Sequence, residues 1–180
     1  MSELGVMAVV VGGLITLVQG WLLLAPATVR EAAVRFPRSR WAGWVLAAVA
    51  WGWVVVLVRD MPLGWFERYR MWLYVAAPVA YGMTVAFMAE LLAARALGAL
   101  MLLAGSPVLD AARWHPSAFR YVLVVLVYLW VVVGMALVLA PYRLRRTLQR
   151  WTANDFRCRL LGAAGVVLGL GLVGLGFRVF

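Results

Sequence analysis

Apolar residues run along this chain in blocks of about twenty, and charged residues gather in the short stretches between the blocks. A bilayer core about 30 Å thick takes roughly 20 helical residues at ~1.5 Å rise each. Each block therefore has the length of a membrane-crossing helix. The pattern predicts spans over about 5–25, 41–58, 71–89, 91–109, 119–140 and 160–177. The fold class it points to is an all-α, polytopic membrane bundle of a single domain, since no segment has the composition of a linker.

One boundary rests on length alone. From Met71 to Leu109 the only charged side chains are Glu90 and Arg95. As one straight helix this segment would be about 58 Å long, nearly twice the bilayer core. Two spans turning near 89-AELLAAR-95 are the economical reading. The turn holds neither Gly nor Pro, so the alternative is five spans, with one continuous helix and with Glu90 and Arg95 buried in it. In that alternative the pair becomes an intramembrane polar site, which is functional by default. In the six-span reading the pair sits in a short turn.

Two stretches between spans share a design. Leu-Ala-Pro, an aliphatic and Arg open 24-LAPATVREAAVRF-36, and 139-LAPYRLRRTLQRW-151 varies the theme. Proline suits the first turn of a helix, where its missing N–H costs nothing. Pro26 and Pro141 are thus expected to end a span and start a short amphipathic helix, over about 27–36 and 142–151. Val29, Ala32, Ala33 and Phe36 fall on one face of the first. Leu144, Leu148 and Trp151 fall on one face of the second. Arg30 and Arg35, and Arg143, Arg146 and Arg150, lie on other faces, as in helices that rest on a membrane with Arg turned to lipid headgroups or to a partner. A fainter echo, 102-LLAGSPVLDAARW-114, raises an inverted repeat of two three-span halves.

Composition supports the membrane reading. Hydrophobic residues make up 66% of the 180 residues and charged ones 13%, against about half and a quarter in soluble domains. The formal net charge is +10, and all 17 basic residues are Arg. Charge placed between apolar spans follows the positive-inside rule and carries no groove-reading or stacking motif, so no nucleic-acid partner is expected. With six spans, Arg30, Arg35, Arg38, Arg40, Arg95, Arg143, Arg145, Arg146, Arg150, Arg157 and Arg159 share one side, and only six remain for the other. This bias predicts a multi-pass protein of the bacterial inner membrane with both termini non-cytoplasmic. Trp65, Tyr69, Trp72, Trp41, Trp114 and Trp151 stand near the predicted boundaries, where amphipathic rings favour the headgroup level.

Candidate chemistry is sparse. His115 is the only histidine and Cys158 the only cysteine, so no thiolate metal site or disulfide can be built within the chain. No catalytic motif, cofactor loop or metal-ligand spacing is present, and neither a cofactor nor enzymatic activity is expected. The last span is rich in glycine, and Gly165 and Gly169 form a small-xxx-small pair suited to close helix packing. These features predict a non-catalytic integral subunit or accessory protein of a larger membrane complex, packing against other integral membrane subunits and lipids. The alternative is a small transporter or lipid-handling protein.

Overall fold

A computed structural model describes residues 2–62, 64–88, 91–142 and 155–178. These residues form seven α-helices: α1 (Glu3–Leu24), α2 (Pro26–Arg35), α3 (Arg40–Asp60), α4 (Arg70–Phe87), α5 (Leu92–Arg113), α6 (Arg120–Leu139) and α7 (Asp155–Arg178). Two 3-10 turns, Phe36–Arg38 and Gly64–Tyr69, lie between them. Five of the helices (α1, α3, α5, α6 and α7 from Cys158) are long and apolar enough to cross a membrane. The chain is a polytopic helical membrane bundle.

The distribution of side chains says the same. The buried apolar positions are dominated by small residues such as Ala8, Ala47, Ala94, Ala96 and Ala112. Large ones turn outward: Leu17, Phe87 and Leu139 are 72%, 82% and 82% exposed. In water that would cost the hydrophobic driving force. In lipid the tails are as apolar as Leu, so helices associate through close packing of small residues instead.

Two glycine seams hold the bundle. An added Cβ on Gly12 of α1 would lie 2.7 Å from the Gly169 carbonyl oxygen, 2.9 Å from Leu172 Cβ and 3.0 Å from Val173 Cγ2. On Gly98 of α5 it would lie 2.7 Å from the Gly134 oxygen, 2.9 Å from Leu137 Cβ and 3.0 Å from Val138 Cγ2. The α1–α7 and α5–α6 pairs thus repeat one antiparallel packing unit, with a shared Gly-x-x-Leu-Val on α7 and α6. A core of Leu4, Ala8, Val108, Leu123, Val127 and Leu172 joins the two pairs. The start of α1, the end of α5, the start of α6 and the end of α7 therefore meet at one end of the bundle.

Outside this group, α3 packs parallel to α5, with Gly43 against Leu92 and Ala93. α4 runs antiparallel to α3, and the Tyr81 hydroxyl donates to the Trp44 carbonyl at 3.4 Å. Ser2 and Ser39 cap α1 and α3, accepting from the N–H of Gly5 at 3.1 Å and of Ala42 at 3.3 Å. Arg120 closes the α5–α6 turn by donating to the carbonyls of Arg113 and His115, at 3.1 and 2.7 Å.

Several expectations are corrected. The continuous helix over 71–109 does not form. α4 ends at Phe87, α5 starts at Leu92, and Leu91 between them takes a left-handed φ of 57°. The five apolar spans consequently differ from the five of that alternative: α4 is a separate helix of 18 residues and is not one of them. The span expected to end at 109, with Pro107 inside it, continues to Arg113. Proline removes one N–H, but helices in a membrane tolerate it. The echo at 102–114 therefore lacks the hinge that follows α1 and α6.

That hinge recurs in detail. Ala25 has φ −133°, ψ 64° and Ala140 has φ −136°, ψ 63°. Each N–H is held at 2.9 Å, by the Trp21 and Ala136 carbonyls respectively. Pro26 follows at the first turn of α2, and Pro141 and Tyr142 resume helix after Ala140.

Candidate functional site: an apolar cleft with one arginine

The α3–α5 pair forms the back of a cleft whose walls are the C-terminal ends of α4 and α6. Its volume is about 590 Å³, within the range of about 300–1,000 Å³ typical of small-molecule sites. Small residues create the space. Ala47 and Ala50 on α3, and Ala96 and Ala99 on α5, repeat at i, i+3 and face each other across the cleft floor. Trp51 and Val54 line α3, and Leu102 and Leu103 close the deep end. Met88 and Leu139, 47% and 82% exposed, flank the mouth.

Among the described residues, Arg95 is the only charged one on the wall. It stands in the first turn of α5, and its Nε is buried without a hydrogen-bond partner. Thr84, also on the wall, has its hydroxyl proton committed to the Ala80 carbonyl at 2.7 Å. A guanidinium presents donors in a fixed fork that matches carboxylate and phosphate. The helix end beneath it adds partial positive charge, and Leu91 caps that end with no side-chain hydrogen bond. The arrangement offers an apolar slot with an anion-seeking group at one end. Among the described residues no three His, Cys, Asp or Glu gather as metal ligands do.

Other predicted residues lie apart from the cleft. A Cβ on Gly169 would meet Thr16 Oγ1 and, at 2.7 Å, the Gly12 carbonyl oxygen. A Cβ on Gly165 would meet the Gln19 side chain. Both glycines therefore face α1 within the chain. Arg35 is exposed on α2 and pairs with Glu31 at 2.6 Å. Arg30 belongs to α2, but its side chain lies outside the described residues, as do Glu90, Arg143, Arg146, Arg150 and most of the 142–151 helix. Cys158 is buried, 1% exposed. The alanine floor escaped the sequence reading, although the paired i, i+3 alanines were a signal for a cleft.

No family model, curated protein or solved structure matches this chain.

Proposed function

We propose that this is a non-catalytic, lipid-handling membrane protein that holds an apolar chain in the cleft between α3, α4, α5 and α6. The observation that carries the reading is the cleft itself: about 590 Å³, walled by Ala, Leu, Val, Met and Trp, within a helical membrane bundle. Packed interiors leave few voids larger than a water molecule, and the surrounding solvent of a membrane protein is lipid. The cleft lies at the bundle end that also bears α2 and Pro141. The arginine bias of the sequence favours the cytoplasm for this end, where Arg35 on α2 is exposed to the headgroups of that leaflet.

The test is to fill the slot. Ala99→Trp places an indole in the cleft without touching either glycine seam. Lipid extracted from the purified protein is then quantified by mass spectrometry against wild type. A specific lipid retained by wild type and lost from Ala99→Trp supports the reading. An unchanged lipid complement removes it.

A second reading, a subunit of a larger membrane complex, draws on α4. α4 lies at the rim with α3 as its main helix neighbour, and Val75, Val79 and Met83 on its outer face are 59%, 59% and 56% exposed. Yet α4 is not among the helices apolar enough to qualify as a span by composition. A rim helix with an exposed apolar face offers a surface to a neighbouring membrane protein. A photo-crosslinker at position 79, used in native membranes, separates the cases. A discrete protein adduct supports a subunit, and lipid adducts alone oppose it.

A further inference from the structure

The cleft combines two features that constrain its occupant. First, its size is limited. A methylene occupies about as much space as a water molecule, roughly 30 Å³, so about 590 Å³ takes roughly twenty chain carbons: one acyl chain, not two. Second, the one charged residue among the described wall residues is a cation whose Nε is buried and unpartnered. A buried guanidinium donor left unmade is costly, and an apolar ligand alone would leave it so. Anionic oxygen satisfies it, in the bidentate geometry Arg favours. Arg95 lies in the first turn of α5, beside the exposed mouth residues Met88 and Leu139. A ligand can therefore keep its head at the membrane surface while its chain reaches inward along Ala96, Ala99 and Leu103.

We infer that Arg95 binds the phosphate of an anionic membrane lipid, one of whose acyl chains fills the cleft. The inference rests on the lipid-handling reading and adds the chemistry of the head. The arginine-rich end of the bundle concentrates anionic lipids around the mouth. Arg95 then selects among them by the charge on the phosphate, and the slot holds one chain while the second remains in the bilayer.

The experiment is native mass spectrometry of the full-length protein in detergent. The probes are phosphatidic acid, its neutral dimethyl ester and diacylglycerol with the same chains, and oleic acid. Wild type should retain phosphatidic acid over either neutral lipid by about tenfold or more, the scale of a charge-assisted hydrogen bond. Arg95→Gln should bring that ratio close to one, Arg95→Lys should keep part of it, and Ala99→Trp should lose all the lipids. Equal retention of phosphatidic acid and its dimethyl ester by wild type overturns the inference while leaving the cleft as a lipid slot. A preference that survives in Arg95→Gln overturns it too, as does retention of oleic acid in preference to phosphatidic acid. Failure of wild type to retain any of the four removes the lipid-handling reading itself. The wild-type comparison of acid with ester needs no variant, so the inference stays testable even if Arg95→Gln does not fold.

Discussion

The seam glycines carry a sharp energetic distinction at the level of single residues. Gly98 and Gly52 both lie inside long apolar helices. A Cβ on Gly98 would stand 2.7 Å from a backbone oxygen of α6, whereas a Cβ on Gly52 would meet nothing within 4 Å. A backbone carbonyl cannot rotate aside as a side chain does, so α5 and α6 would have to part. Overpacking of this kind costs about 1–3 kcal/mol. Alanine in place of an unobstructed helical glycine gains roughly 0.5–1 kcal/mol from backbone entropy. Gly98→Ala is therefore expected to lower unfolding stability in bicelles and Gly52→Ala to hold or raise it. Equal effects from the two substitutions would mean that the α5–α6 seam is not as close as described. Gly169→Ala should behave like Gly98→Ala, because its Cβ would meet Thr16 Oγ1 and the Gly12 oxygen.

At the scale of elements, the break between α4 and α5 has an unusual residue at its centre. Leu91 holds φ 57°, ψ 26°, where an L side chain costs about 1–2 kcal/mol and glycine costs none. Leu91→Gly should thus leave stability unchanged or raise it, while Leu97→Gly, inside α5, should lose about 1 kcal/mol. If the two losses match, residue 91 sits in helix and the chain crosses 71–109 without turning. Much of the element plan was legible in the sequence, because a span of fixed length in a solvent of fixed thickness leaves little freedom. α1, α3 and α6 begin and end within two residues of the apolar blocks that predict them. The break at Leu91 was inferred only from excess length, since its conformation has no Gly or Pro to announce it. The last turn of α5, 110-DAAR-113, was missed because its polar residues read as a loop, whereas in the helix they carry it past the apolar block. The cleft was illegible for a different reason. Arg95 looked like a turn residue until the rotation of α5 against α3 placed it on the same wall as Ala96 and Ala99, and helix rotation is not written in a hydropathy pattern.

For the whole molecule, the helix pairings and the arginine distribution constrain topology independently. The pairings place the α3–α4 connection and the α5–α6 turn at one end of the bundle, because α3 and α5 run parallel from Gly43 beside Ala93. α2 lies at the other end, following α1. The arginine bias then predicts which end faces the cytoplasm. Single cysteines test both statements on a Cys158→Ala background. Met61, Trp114 and Glu31 are suitable positions, being 60% and 83% exposed for the first two and 61% exposed in its side chain for the third. In intact cells a membrane-impermeant maleimide should label Met61→Cys and Trp114→Cys, and should reach Glu31→Cys only after permeabilisation. The relation between Met61 and Trp114 is the stronger half of this prediction, because it needs no assumption about charge. An odd number of crossings between those positions would put them on opposite faces, and two crossings put them on the same one. Labelling of one without the other in intact cells would overturn the α4–α5 reversal and the cleft that depends on it. Labelling of Glu31→Cys alone would preserve the fold and invert its orientation, moving the arginine-rich end and the mouth of the cleft to the outer leaflet.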